Sequence, residues 1–419
     1  MSGSAMQPAP DPQADKILPF LPSGESWIAR HVRDLPRSGI RDFFDLVQSM
    51  EGIVSLGIGE PGESTFWNIR EQAIFALESG KTGYTSNLGL LRLRQAISGY
   101  MERLTGVCYD PEGEILVTVG VSEALDCALR AIINPGDHVL YADPSYVAYS
   151  PSVLLAHGVP IGIPTRFEEE FQLRAEAVAQ RAKPGVKALL LNSPANPTGA
   201  MVDEGELEKI ASLSEREDWV VLSDEIYAEL TYEKRHRSIA SFPGMKERTV
   251  VLNGLSKAFA MTGFRLGWAC GPAPLIAAMV KIHQYSMLCA PILSQEAGIE
   301  ALEHGATQIE SMRRSYRRKR NYLWRSLTAM GFPCHRPEGA FYLFPSILPF
   351  HLSSQEFAFR LLQEARVAVV PGTAFGSSGE GYLRCSFSPR MGDLEEAVAR
   401  MNRWMRANFR KGACPTAGD

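Results

Sequence analysis

The chain has 419 residues, of which 45% are hydrophobic and 21% are charged. That length predicts two or three domains around a sizeable core. The composition is not that of a disordered, collagen-like or disulfide-scaffold protein. Lys and Arg together number 43 against 47 Asp and Glu, which gives a net charge of −4. This balance gives no support to a role in binding nucleic acid or an acidic membrane surface.

The seven cysteines are dispersed and include no CxxC pair, which is typical of reduced thiols. No apolar run reaches the roughly 20 residues that a membrane-spanning helix needs. The first residues lack the basic region and apolar stretch of a signal peptide. We therefore expect a soluble cytoplasmic protein.

The first part of the chain, residues 1–20, is polar and rich in proline, and we predict a flexible arm there. Between residues 115 and 271, apolar β-rich runs alternate with helical patterns such as 124–133 and 204–216. The runs are 115–120, 138–143, 187–192, 219–224, 249–253 and 265–270. This alternation predicts a mainly parallel sheet covered by helices on both faces. Ligands of such sheets lie beyond the carboxyl ends of the strands.

The last part of the chain predicts a helix over 306–330, followed by an α+β segment over 331–410. Apolar residues recur along one side of that helix from Ile309 to Met330. Its cluster of basic residues over 313–320 indicates a solvated face rather than an anion site. The strand candidates after it are 340–344, 367–370 and 382–387.

Three glycine-containing motifs carry less information than their pattern suggests. Residues 57–62 match GxGxxG, but Pro61 lies inside the turn, which favours a loop with close backbone approach over a dinucleotide site. Residues 80–82 lack the first glycine of a P-loop. Ser122 lies between a strand and a helix without the final glycine of a hydrolase nucleophile elbow. We interpret Ser122 as part of a helix N-terminus that binds an anion.

Lys257 follows the apolar run 249–253 and should lie at the carboxyl edge of the sheet, where water is partly excluded. Desolvation lowers the pKa of a lysine and makes a neutral amine available for a Schiff base. Arg265, eight residues further on, could bind a phosphate with two hydrogen bonds. Taken alone, an exposed lysine before a glycine turn would be the simpler interpretation.

Other polar residues follow the neighbouring runs. Asp224 ends the run 219–224 and could pair with a protonated pyridine nitrogen, although alone it fits a helix N-cap equally well. Tyr227 could reach the same ring. Asn196 lies in a turn after the run 187–192 and could donate to a phenolate oxygen. The helix that opens after Gly120 would seat a phosphate on its free amides.

Together these motifs resemble the class I and II aminotransferases, pyridoxal-phosphate enzymes of fold type I. The resemblance runs from about Ser38 to Met401 and is closest to the branch that includes aspartate and aromatic aminotransferases. It implies an α/β fold, with a large domain built on a mainly parallel seven-stranded sheet flanked by helices, plus a smaller α+β domain. The segments that carry the resemblance occur in family order and are Ser38-Gly-Ile-Arg-Asp-Phe-Phe-Asp, Gly59-Glu60-Pro61, 84–94, Asn196-Pro197-Thr198-Gly199, Asp224-Glu225-Ile226-Tyr227 and 256–267.

The resemblance also implies domain boundaries. Residues 21–58 would form the N-terminal part of the small domain, 59–305 the large cofactor-binding domain, and 306–419 the C-terminal part of the small domain. It further implies a homodimer with shared active sites that acts on an amino acid and a 2-oxo acid. We expect no metal, nucleic acid or membrane as partner.

By the same resemblance, Lys257 would bind pyridoxal 5′-phosphate covalently and later carry the proton. Asp224 would pair with the pyridine nitrogen, and Asn196 and Tyr227 would bind the phenolic oxygen. Tyr146 would stack on the ring. The implied phosphate ligands are Val121, Ser122 and Arg265, with Tyr84 of the other subunit. Ser256 is a further predicted cofactor-binding residue.

Arg384 would bind the substrate carboxylate, with Gly59 and Asn196 in the same pocket. The sequence departs from many relatives at Gly254, where they carry a serine that contacts the phosphate. No motif assigns a cation to a substrate side-chain carboxylate, so aromatic or neutral amino acids are favoured. A lyase, cyclase or oxidase with the same cofactor stays open as an alternative. The acidic charge disfavours a DNA-binding regulator.

Overall fold

The computed structural model describes residues 27–35, 47 and 50–409. The described residues from 47 to 409 belong to one compact unit, and the described residues before 36 contain a single short helix. The predicted arm over 1–20 and the segment that begins at Ser38 lie outside the described residues. The division at residues 58 and 305 stays a prediction.

Helices and strands alternate along most of the described chain. The helices are α1 (Arg30–Arg33), α2 (Trp67–Glu78), α3 (Leu91–Thr105), α4 (Val121–Ile132), α5 (Tyr149–Leu155), α6 (Ala175–Arg181), α7 (Glu204–Arg216), α8 (Ala273–Ser286), α9 (Ile292–His304), α10 (Ala306–Ala329), α11 (Ser354–Ala365) and α12 (Met391–Asn408). The strands are β1 (Val54–Ser55), β2 (Ile115–Thr118), β3 (His138–Asp143), β4 (Val159–Pro164), β5 (Val186–Asn192), β6 (Val220–Asp224), β7 (Thr249–Gly254), β8 (Gly267–Cys270), β9 (Tyr342–Leu343), β10 (Val367–Ala368), β11 (Val370–Pro371) and β12 (Leu383–Ser386). None of the helices described here is long and apolar enough to cross a membrane.

The central sheet has seven strands in the order β2-β8-β7-β6-β5-β3-β4. The pairs from β7 to β4 are parallel, whereas β8 runs antiparallel to both β7 and β2. The predicted mainly parallel, seven-stranded sheet is therefore confirmed. Because β7 and β8 are antiparallel neighbours, Lys257 after β7 and Arg265 before β8 both lie at the same edge.

Helices cover both faces of this sheet, as its apolar strands predict. Leu190 and Leu222 pack on one face in a cluster that includes α4, whereas Leu189 and Val221 pack on the other in a cluster that includes α7. Adjacent residues of a strand point to opposite faces. Each buried strand therefore needs apolar side chains at successive positions, and this is the pattern that the sequence shows.

One strand of this sheet, β4, was not predicted from the sequence. The β4 sequence is Val-Pro-Ile-Gly-Ile-Pro, and its prolines and glycine weaken the strand signal. The strand pairs only with β3 and lies at the sheet edge, where a residue without an N–H is tolerated.

Several predicted boundaries need correction. The predicted run 265–270 is a strand only from Gly267, because Arg265 has a φ of 51° in the left-handed region. The helix predicted over 124–133 begins at Val121, so the candidate anion site is its first turn. The strand candidates of the last segment are shorter than predicted and join two small sheets, β1-β10 and β11-β12-β9.

The helix predicted over 306–330 is α10, but its basic cluster is not wholly solvated. Lys319 is 7% exposed and Arg320 is fully buried. Arg320 donates to Glu233 through both terminal nitrogens, over 2.7 and 2.6 Å. The prediction was wrong for these two residues because they lie between Tyr316 and Leu323 on the apolar side of the helix.

Candidate active site

One cavity of about 810 Å³ lies at the carboxyl edge of the sheet. It brings together nearly all the predicted site residues, although they come from distant parts of the sequence. The predicted residues that line it are Gly59, Val121, Ser122, Tyr146, Asn196, Asp224, Tyr227, Ser256, Lys257, Arg265 and Arg384. Tyr84 does not line this cavity, and 86% of its surface is exposed.

Lys257 presents an amine to this cavity. Its Nζ donates to the carbonyl of Gly59 over 2.7 Å. Burial lowers the pKa of Lys257 to about 8, an effect that the nearby Glu60 carboxylate partly opposes. An ammonium group that is partly desolvated loses its proton more readily, and the neutral amine is the nucleophile.

Asp224 places a buried carboxylate at the end of β6. The Tyr149 hydroxyl donates to its Oδ2 over 2.7 Å, and the Ile226 N–H donates to its Oδ1 over 3.2 Å. Burial raises the pKa of Asp224 to about 6, although both hydrogen bonds act in the opposite direction. A cation brought beside this carboxylate would stabilise its charged form.

The first turn of α4 offers backbone amides to an anion. Gly120 precedes the helix with a φ of 78°, which favours glycine, and a Cβ there would lie 2.7 Å from Nη2 of Arg265. The guanidinium therefore lies against the turn that begins the helix. The Val121 and Ser122 amides belong to the first turn, where N–H groups have no acceptor within the helix. Amides and an arginine together suit a phosphate.

Arg384 is 4% exposed and is held by partners on several sides. It donates to Oδ1 of Asn196 over 3.1 Å and to the carbonyl of Gly57 over 2.7 Å. Its guanidinium carbon lies 4.5 Å from the ring centre of Tyr342 and 4.7 Å from that of Phe375. Because Arg384 uses the oxygen of Asn196, the NH₂ group of that amide is the part that can donate to a ligand.

Tyr227 lies beside a second tyrosine that the sequence did not assign to the site. The two hydroxyl oxygens of Tyr227 and Tyr342 are 2.9 Å apart. Burial raises the pKa of Tyr227 well above its usual value, so this phenol keeps its proton and can act as a donor. Tyr342 lies on β9 opposite Ser386 of β12, the strand that carries Arg384.

Sequence reasoning also missed Tyr149 and Asn192. Asn192 ends β5, donates to the Asp224 carbonyl over 2.9 Å and accepts from the Asn196 N–H over 2.9 Å. Its place at a strand end was a signal that could have identified it. Tyr149 begins α5, and nothing local in the sequence indicates its bond to Asp224.

The residues in the cavity fit pyridoxal 5′-phosphate in charge and hydrogen-bonding capacity. An amine of lowered pKa suits an aldehyde, a buried carboxylate suits a ring nitrogen, and the first turn of α4 with Arg265 suits a phosphate. Fold and cavity together define a pyridoxal-phosphate enzyme of fold type I.

Comparisons with known proteins agree with this class. The family model described as aminotransferase class I and II matches residues 51–401. The YugH protein of Bacillus subtilis (strain 168) is 50% identical over 380 residues, covering 91% of this chain and 98% of its own length. Aromatic-amino-acid aminotransferase 2 of Thermococcus litoralis is 42% identical over 372 residues, covering 88% and 96% respectively. The solved structure of Thermus thermophilus aspartate aminotransferase with maleate matches with a TM-score of 0.86 at 37% identity, covering 90% of this chain and 99% of that chain.

The chain therefore belongs to the class I and II aminotransferases. It is an enzyme that transfers amino groups between amino acids and oxo acids, and its cofactor is pyridoxal 5′-phosphate. The alternative of a lyase, cyclase or oxidase is not favoured by these comparisons.

Proposed function

We propose that this aminotransferase prefers L-amino acids with aromatic or neutral side chains, and that Arg384 binds the carboxylate of the α-carbon. The observation that carries the proposal is the set of cations in the cavity. Among the described residues that line it, the lysines and arginines are Lys257, Arg265 and Arg384. The proposal gives each of them a role toward the cofactor or the α-carboxylate, which leaves no cation in this set for a second substrate carboxylate.

Other residues of the cavity support the same preference. Ile58 and Val147 add apolar surface to the lining, and Glu60 adds a negative charge. An acidic side chain near Glu60 would be repelled, whereas an aromatic side chain would bury apolar surface. A relative named as an aromatic-amino-acid aminotransferase agrees with this preference, and one named as an aspartate aminotransferase leaves dicarboxylates as the competing substrate class.

In the proposed mechanism, each residue has one task. When bound, pyridoxal phosphate supplies a ring that withdraws electrons from the substrate α-carbon. Lys257 would remove the proton from that carbon and deliver it to the aldehyde-derived carbon of the cofactor, because an amine with a pKa of about 8 exchanges protons readily near neutral pH. Asp224 would hold a positive ring nitrogen, and Arg384 would fix the orientation of the α-carbon.

A panel of amino donors tests the substrate preference. Purified enzyme would be assayed with 2-oxoglutarate and, in turn, phenylalanine, tyrosine, leucine, alanine and aspartate, and kcat/KM compared. We expect the aromatic and neutral donors to exceed aspartate. A kcat/KM for aspartate above all the others would refute the proposed preference.

We further propose that the active unit is a homodimer in which Tyr84 contacts the partner's phosphate site. Tyr84 is 86% exposed, and other large apolar side chains are also exposed on the same unit. These are Trp67 at 59%, Phe75 at 57%, Tyr285 at 87% and Met287 at 51%. Exposed apolar groups of this size are typical of protein interfaces, and a second copy of this chain would cover them. Light scattering at assay concentration would reveal a monomer if the proposal is wrong.

We also propose a cytoplasmic location. The six described cysteines are all free, and three of them are buried. Free thiols of this number suit a reducing compartment. Fractionation of the source cells would test the location, and enrichment in an oxidising compartment would contradict it.

A further inference from the structure

The chain segment 57–63 contacts both cations that the proposed mechanism uses at the substrate. The carbonyl of Gly57 accepts from Nη2 of Arg384 over 2.7 Å, and the carbonyl of Gly59 accepts from Nζ of Lys257 over 2.7 Å. The position of this segment therefore affects where both side chains point.

The far end of the segment is held by α10. Oε1 of Glu63 accepts from Nζ of Lys319 over 2.9 Å, and Oε2 of Glu63 accepts from the Tyr316 hydroxyl over 2.8 Å. Nζ of Lys319 also donates to the carbonyl of Ser388 over 3.1 Å. One buried ammonium thus joins the segment, the helix and the chain that follows β12.

The segment also touches residue 388 directly. A Cβ added to Gly62 would lie 2.1 Å from the carbonyl oxygen of Ser388, so only glycine fits there without movement. The GxGxxG pattern is thus explained in part by close backbone approach. The Lys319 ammonium joins the two segments at this point, because it donates to both Glu63 and the carbonyl of Ser388.

We propose that Lys319 is a positioning residue for the substrate-carboxylate site. Lys319 is 7% exposed, and a buried ammonium requires the partners that it has here. Its charge fixes Glu63, and through Glu63 it fixes the carbonyls of Gly57 and Gly59 that orient Arg384 and Lys257. The inference rests on the proposed role of Arg384.

The test measures binding of a carboxylate that cannot react. Calorimetry would give the Kd of 3-phenylpropionate for the cofactor-loaded full chain, in the wild type and in Lys319→Met. We expect the Kd to rise about tenfold, because small displacements of positioned groups have large effects. The Kd of the apoprotein for pyridoxal phosphate should rise less than the Kd of the probe, since the proposed phosphate ligands lie outside the segment even though Lys257 contacts it. Backbone amides of 57–63 should exchange hydrogen faster.

Two further variants separate positioning from general stability. Lys319→Arg keeps the charge and should restore most of the probe affinity. Lys209→Met removes a surface lysine whose Nζ lies 2.8 Å from Glu206 and whose side chain is 67% exposed, and it should change neither Kd. If Lys319→Met does not fold, Glu63→Gln provides the same measurement from the other side of the contact.

The outcomes distinguish the inference from the proposed function. A wild-type enzyme that takes up cofactor but does not bind 3-phenylpropionate would overturn the proposed carboxylate site, and the inference with it. A wild-type enzyme that binds the probe, with an unchanged Kd in a folded Lys319→Met or Glu63→Gln variant, would overturn the inference alone. An equal loss of cofactor and probe affinity would also overturn it.

Discussion

Asp224 is expected to destabilise the cofactor-free protein at neutral and basic pH. Burial raises its pKa from the ordinary 3.8 to about 6 in the folded chain. The folded state therefore binds the proton more tightly than the unfolded state does. The stability that this group contributes is fully present below pH 3.8 and is lost as the pH rises through about 6. The rise in pKa corresponds to about 3 kcal/mol.

The variant Asp224→Asn should escape this loss, because an amide does not ionise. Urea unfolding of the apoprotein at several pH values between 4 and 8 would give the free energy of unfolding of both proteins. As the pH rises from 4 to 8, the free energy of unfolding of the variant should increase relative to that of the wild type by up to about 3 kcal/mol. The same variant should bind pyridoxal phosphate more weakly, since the charge that holds the ring nitrogen is gone.

A matched control is Asp126→Asn, which changes a surface carboxylate that pairs with Arg130 on α4. The difference in free energy of unfolding between Asp126→Asn and the wild type should show little dependence on pH. If the difference between Asp224→Asn and the wild type is constant with pH, or falls as the pH rises, then the buried carboxylate does not titrate as argued.

Three further predictions concern the other residues of the site. Lys257→Ala should bind the cofactor only noncovalently, so borohydride reduction and peptide mapping should label Lys257 in the wild type and nothing in the variant; a label on another lysine would contradict the assignment. Arg384→Lys should raise the KM for amino donors about ten- to hundredfold with a smaller effect on kcat, because one point charge replaces a planar pair of donors; an unchanged KM would refute the carboxylate role. Tyr84→Phe subunits should be mixed with Lys257→Ala subunits under conditions of subunit exchange. The mixture should be more active than either variant alone, because one site of each heterodimer then carries neither substitution. No recovery of activity after proven exchange would exclude a shared site.

The sequence predicted the parts of the fold whose signal is local. The strands β5, β6 and β7 are apolar at successive positions and each ends near a polar site residue, so both strand and site were visible. The strand β4 was not, because proline and glycine interrupt it at the sheet edge. Contacts across long separations were also invisible. Tyr149 lies 75 residues from Asp224, and Tyr227 lies 115 residues from Tyr342.

The basic cluster of α10 shows where prediction of burial from residue type fails. The basic residues over 313–320 were predicted to form a solvated face opposite the apolar stripe, yet Lys319 and Arg320 fall on the side of the helix that its apolar residues define. Their carboxylate partners, Glu63 and Glu233, come from other parts of the chain. Helical periodicity was thus a better guide to burial here than residue type was.

The antiparallel pairing of β7 with β8 has a consequence for how this site can change. The connection 255–266 leaves the sheet at Gly254 and returns at Gly267, which are directly paired. It carries both Lys257 and Arg265. Its length therefore helps to set the distance between the amine and the proposed phosphate site. One inserted residue in this connection would change that distance, while the pairing of β7 with β8 could stay the same. The spacing between aldehyde and phosphate that the site accepts should therefore depend on the length of this connection.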